Sequence, residues 1–191
     1  MNYKMNFISA YYKSIELGLN PSKSVLPLKN TISKTKLAGL QKGCLDLLYS
    51  MNLNSSVDLA GKCIPVHIML KEMLKTDFSI ESHITIGDRF WHDYVYCEMS
   101  YDLIAKELET GGGVEPLKAH VWLTLKDGSI LDFTCEAHLD VLMDRGDHPT
   151  HECVGYIPAS KKITDGYYRP YLVGDEFLKR TGAFGVLAVD V

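Results

Sequence analysis

The stretch from His120 to Phe133, HVWLTLKDGSILDF, constrains this chain more than any other. Two strand-like runs, HVWLTL and SILDF, are joined by Lys126, Asp127 and Gly128. A three-residue connection ending in glycine predicts a bulged hairpin with Gly128 in the left-handed region. That loop sets the register. Leu125 faces Ser129, so Trp122 faces Asp132 and His120 faces Thr134. Cross-strand partners share one face of a sheet, so His120, Trp122 and Asp132 project together, with Asp132 a diagonal neighbour of His120. A two-residue loop would turn Asp132 to the opposite face. An imidazole held at one nitrogen by a carboxylate is an oriented general base. The plainer alternative is a surface histidine and an aspartate that share no purpose.

The rest of the chain is organised as helices first and strands afterwards. Residues 36–51 carry Leu37, Leu40, Cys44, Leu47, Leu48 and Met51 at helical spacing, a single apolar stripe. Residues 4–18 form a weaker helix candidate, and 19–33, with Asn20, Pro21, Pro27 and Asn30, reads as a linker. A third helix covers about 63–75. Then the period changes. Phe78, Ile80, Ile84 and Ile86 alternate with Ser79, Glu81, His83 and Thr85, the pattern of a half-buried strand. Residues 100–109 form a short helix, with Ser100 as N-cap and Gly111 past its end. After the hairpin come a loop-rich stretch over 144–150, a strand near 153–157 and a terminal helix near 174–180. This order indicates an α+β fold with an antiparallel sheet, in one domain over 1–191, with 1–35 as a helical N-terminal extension. The length, 191 residues, is enough to build such a core without a covalent staple.

The second chemical signal is GKCIPVHIMLKEML, in which Cys63 precedes Pro65. Proline has no N–H and is tolerated only in the first turn of a helix, so this helix starts at about Lys62 to Ile64. Cys63 therefore sits at the positive end of the helix dipole, where a thiol loses its proton more easily and becomes a nucleophile. Val66, Met69, Leu70, Met73 and Leu74 make the face that anchors the helix in the core. The competing reading is a small buried hydrophobe, the usual fate of a free cysteine.

Cys63, His120 and Asp132 occur in that order, the first opening a helix and the other two on adjacent strands. The residues GKC at 61–63, His120 with Trp122, and DGSILD at 127–132 resemble the transglutaminase-like group of the papain-like cysteine enzymes, in particular bacterial transglutaminase-like cysteine proteinases. The arylamine acetyltransferases share the same order. The resemblance covers about 61–134 and implies a papain-like fold and an acyl-enzyme formed on a thiolate. It implies Cys63 as nucleophile, His120 as general base and Asp132 as the residue that orients it. The activity it implies is thiol-dependent acyl chemistry on an amide: peptide hydrolysis, deamidation or acyl transfer. No cofactor is implied, and the partner is a peptide, protein or amide substrate. An oxyanion hole is also required. The Cys63 N–H is one donor, and Asn52, Asn54, Ser55 and Ser56 offer side chains just before the helix. Trp122 and Asn54 are expected to meet the substrate.

Other constellations compete. Cys135, His138, His148 and His151, with Cys153 nearby, supply ligand types that suit a structural zinc. Strand alternation would point Cys135 away from Asp132 and Thr134, and the expectation is that no metal is held. His67, four residues after Cys63, could replace His120 as base, but two side chains on one helical face run roughly parallel. His83 falls on the polar face of its strand and is expected in solvent. Trp91, His92 and the tyrosines Tyr94, Tyr96, Tyr167, Tyr168 and Tyr171 read as core rim or cleft wall. The glycines at 111–113 lack a following GK[ST] and make no phosphate loop.

Charge excludes other classes. Twenty basic against 24 acidic residues leave a net charge of −4 and no dense cluster of Lys or Arg, which argues against nucleic acid. No run approaches a membrane span, and MNYKMNFISAYYKS lacks the apolar core of a signal peptide. Five irregularly spaced cysteines suit free thiols in a cytoplasmic protein better than a disulfide framework. The non-enzyme alternative is a binding module of the same fold with an unreactive Cys63.

Overall fold

The computed structural model describes residues 2–28, 32–112 and 118–183. Among them are seven α-helices and six strands, an α+β architecture: α1 (Tyr3–Glu16), α2 (Lys34–Ser50), α3 (Ser56–Leu59), α4 (Cys63–Phe78), β1 (Ser82–Phe90), β2 (Val95–Tyr96), α5 (Tyr101–Thr110), β3 (His120–Leu125), β4 (Ile130–Asp132), α6 (Cys135–Leu142), β5 (Gly155–Ile157), β6 (Tyr167–Val173) and α7 (Glu176–Arg180). The chain divides into two compact units. One comprises residues 1–27, 84–121 and 160–191, and the other 28–83 and 122–159.

In the first unit β1 is central. It pairs antiparallel with β6 from Thr85 opposite Val173 to Phe90 opposite Tyr167, and with β2 at Arg89 and Phe90. The β6 register slips between Ile86 and Gly87, which leaves Tyr171 as the extra residue of a bulge beside Pro170. A proline cannot donate to a ladder and is tolerated in a strand at such a place. Helix α1 belongs to this unit. Its buried Ser14 hydroxyl donates to the Ala10 carbonyl and accepts the Val173 N–H of β6, both at 2.9 Å. Under β1, the buried carboxylate of Asp88 receives Arg169 through two nitrogens at 2.6 and 2.7 Å and also the Met99 N–H. Helix α5 begins as expected, with Ser100 accepting the Leu103 N–H, and ends with Gly111 left-handed. Its two neighbours at 112 and 113 divide: Gly113 lies outside the described residues, as does Asn30 of the expected linker.

The second unit holds β3 from Trp122 onward, β4 and β5, paired antiparallel in that order. The hairpin register is the expected one: Leu123 pairs with Leu131 and Thr124 with Ile130, and Gly128 is left-handed at φ 86°. Leu125 and Ser129 close the loop through a 2.8 Å backbone bond. Helices α2 and α4 pack together, and the approach is close. A Cβ on Gly43 would stand 2.5 Å from the Phe78 ring, so any larger residue there would have to push that ring aside.

Three expectations are corrected here. Helix α4 runs on to Phe78, and Ser79 ends it in the left-handed region, so the strand starts at Ser82. His83 is buried, because β1 is covered on both faces from Ser82 to Asp88. Cys135 and His138 lie on helix α6, which follows β4 after two residues, so strand alternation does not govern them.

Candidate functional site

Helix α4 begins at Cys63, with Lys62 outside it, as Pro65 in the first turn requires. Cys63 is part-exposed. Cys44, Cys135 and Cys153 are buried, and burial raises the Cys44 thiol to about 12 and the Cys153 thiol to about 11. Cys97 is the other part-exposed cysteine, on a left-handed residue at φ 55°.

Asp132 ends β4 and is 1% exposed. One carboxylate oxygen, Oδ1, accepts the Thr134 N–H at 2.9 Å, the Cys135 N–H at 3.1 Å and the Thr134 hydroxyl at 3.3 Å. The two N–H groups are backbone donors of the start of α6, which have no partner inside the helix. Asp132 therefore starts α6 as well as ending β4. Continuing the observed register sets Asp132 opposite Trp122.

His120 is fully buried. Within its own unit the ring lies edge-on to Tyr96, centroids 5.1 Å apart, and near Tyr168 at 6.3 Å. Those two tyrosines are core around the histidine, a role that sequence reading gave only as core rim or cleft wall. Trp122 is also fully buried, so its ring is core and presents no surface to a ligand. Asn54 is exposed, and its backbone N–H is held by Asp58 Oδ2 at 2.9 Å. Its neighbours are committed. Ser55 and Asp58 form a capping box on α3, and Ser56 donates to Asp147. Asn52 lies at φ 60°. Of the four candidate side-chain donors, Asn52 and Asn54 are exposed, Ser55 is half-buried and Ser56 is buried.

The loop beyond α6 is zipped onto this segment. The Ser56 N–H donates to the His148 carbonyl at 2.7 Å, the Thr150 N–H to the Asn54 carbonyl at 3.0 Å, and the Thr150 hydroxyl to the Leu53 carbonyl. Asp147 accepts the Val57 N–H, which holds its carboxyl below the usual range. His148 Nε2 contacts the Arg145 carbonyl and His151 Nδ1 the Tyr49 hydroxyl. Cys135, His138, His148 and His151 are not gathered into one ligand group. The histidine-rich stretch acts as a clasp on residues 53–57.

His67, weighed from the sequence as an alternative base, is held at both ring nitrogens. It is fully buried, with Nδ1 2.8 Å from the Cys63 carbonyl and Nε2 3.2 Å from the Phe133 N–H that it accepts. Both ring nitrogens face backbone groups, which residue identity does not reveal. It is thus poorly placed to serve as base toward the Cys63 thiol. No family model, curated protein or solved structure matches the chain.

Proposed function

We propose that this chain is a thiol-dependent enzyme of papain-like, transglutaminase-like type that performs acyl chemistry on an amide. Cys63 is the nucleophile, His120 the general base and Asp132 the residue that orients the imidazole. The Cys63 sulfur adds to the substrate carbonyl, and its proton passes to His120. The C–N bond then breaks, and the amine leaves with that proton. Water or a second amine attacks the thioester and restores the thiol. Hydrolysis, deamidation and transfer differ only in the leaving amine and the acceptor.

The observation that carries this reading is the placement of Cys63. It is part-exposed and opens a 16-residue helix, while Cys44, Cys135 and Cys153 are buried. The hairpin register, with Asp132 on the Trp122 side, adds support. The Asn54 amide, exposed like that of Asn52 on the segment leading into α4, is a side chain available to a substrate oxyanion.

A second reading, a binding module with an unreactive Cys63, draws on the burial of His120 and Asp132. Brief labelling with iodoacetamide at neutral pH, followed by peptide mapping, separates the two. The enzyme reading expects one fast adduct, on Cys63. Labelling of Cys63 no faster than that of Cys97 would remove its main support. Among the described residues no helix is long and apolar enough to cross a membrane.

A further inference from the structure

The bonds of His67 identify its tautomer. A carbonyl oxygen only accepts, so Nδ1, 2.8 Å from the Cys63 carbonyl, carries the hydrogen. Nε2 accepts the Phe133 N–H and so carries none. The ring is neutral, with one nitrogen donating and the other accepting. Nε2 lies 3.5 Å from Asp132 Oδ1. These two atoms are neighbouring acceptors, served by the consecutive N–H groups of Phe133, Thr134 and Cys135. Reading the contact as an ion pair would strip the buried Phe133 N–H of its acceptor.

We infer that His67 is a positioning residue that ties the first turn of α4, and with it Cys63, to the corner between β4 and α6 that Asp132 builds. This rests on the reading of Cys63 as nucleophile. The tie spans 66 residues of chain at its Phe133 end and four at its Cys63 end. In a regular helix the carbonyl of Cys63 takes the N–H of residue 67, and the ring adds a second donor to it. That anchors the turn of a helix whose N-cap, Lys62, contributes no side-chain cap. The tie therefore holds in place the end that carries the thiol, although, being a donor to a carbonyl, it satisfies none of the first-turn N–H groups that a cap would take. A thiolate and its base must be held to within a fraction of an ångström, so a loose first turn would be felt in rate before it was felt in fold.

The test compares His67→Phe, which fills the space without polar atoms, with His67→Gln, which keeps a donor and an acceptor. Cys63 labelling by iodoacetamide is followed from about pH 6 to 9 on the full chain, beside thermal melts. The tie predicts that His67→Phe, still folded, slows Cys63 labelling at neutral pH at least about tenfold and changes the shape of the pH profile, and that His67→Gln recovers to within about threefold. A folded His67→Phe with the wild-type profile would overturn it. Should His67→Phe not fold, nitrogen NMR of the wild-type ring decides. A hydrogen on Nδ1 alone supports the tie, and one on Nε2 overturns it. Slow labelling of Cys63 in the wild type would instead remove the enzyme reading, while the ring tautomer would still report on the tie by itself.

Discussion

Replacing Asp132 separates its two tasks. Asp132→Ala removes the acceptor of two backbone N–H groups, Thr134 and Cys135, in a place where the side chain is 1% exposed. Leaving a buried donor unsatisfied costs about 1–3 kcal/mol each, and loss of an N-cap alone costs about 0.5–2 kcal/mol. The two N–H groups together set an expectation of about 3 kcal/mol, since partial fraying of α6 lets one of them reach water. Asp132→Asn keeps an oxygen in the same place. It loses only the charge assistance, which roughly doubles a hydrogen bond, so about 1 kcal/mol is expected. Urea unfolding gives both numbers from the midpoint at fixed slope. In the proposed chemistry the Asn variant stays folded yet loses the charge that orients His120, lowering turnover on the order of 10²–10⁴-fold. The reasoning fails if Asp132→Ala unfolds within about 1 kcal/mol of wild type, or if the Asn variant is as unstable as the Ala variant.

His83 sets a pH dependence of stability. Burial, ahead of the nearby Lys126, lowers it from 6.5 to about 4. The folded chain thus keeps it neutral where the unfolded chain protonates it, and stability is full above about pH 6.5 and falls down to about pH 4. Two and a half units at 1.36 kcal/mol each amount to about 3 kcal/mol. Urea midpoints of wild type and His83→Gln should converge across that window, and parallel curves would refute the assignment. Ser14→Ala should cost about 2 kcal/mol by orphaning the Val173 N–H, with faster hydrogen exchange at that amide. Unchanged exchange there would show that α1 is not held to β6 by this bond.

What the sequence revealed and what it hid follow from the kind of signal involved. The KDG loop fixes its own geometry, so the register from Leu123 opposite Leu131 was readable without any tertiary knowledge. Pro65 and the pair Ser100 and Gly111 mark helix ends through local backbone chemistry, and the ends lie where those residues put them. Alternation misled at Phe78–Ile86. The strand is covered on both faces, so His83 and Thr85 are as buried as Ile84 and Ile86, and the alternation carried no information about its start. Helix α6 escaped because Ala137, Leu139 and Val141 alternate like a strand, while its start depends on Asp132, a residue of the preceding strand. Strand β6 was hidden by Arg169 and Pro170, which the Asp88 pair and the bulge accommodate. Cys63, His120 and Asp132 were legible as residue types in order. The bond from His67 to Phe133 was not, since it joins a side chain to a backbone 66 residues away.

The central claim is that His120 activates Cys63, and one rate tests it most directly. Iodoacetamide labelling of Cys63 at neutral pH is measured in the full chain and in His120→Asn, which removes the base with little change in volume, each checked for an intact fold. The account predicts that wild-type Cys63 labels faster than Cys97 and that His120→Asn slows Cys63 at least about tenfold while leaving Cys97 unchanged. Equal Cys63 rates in the two folded proteins would contradict it, because a thiol that ignores the loss of its base is not being activated by it.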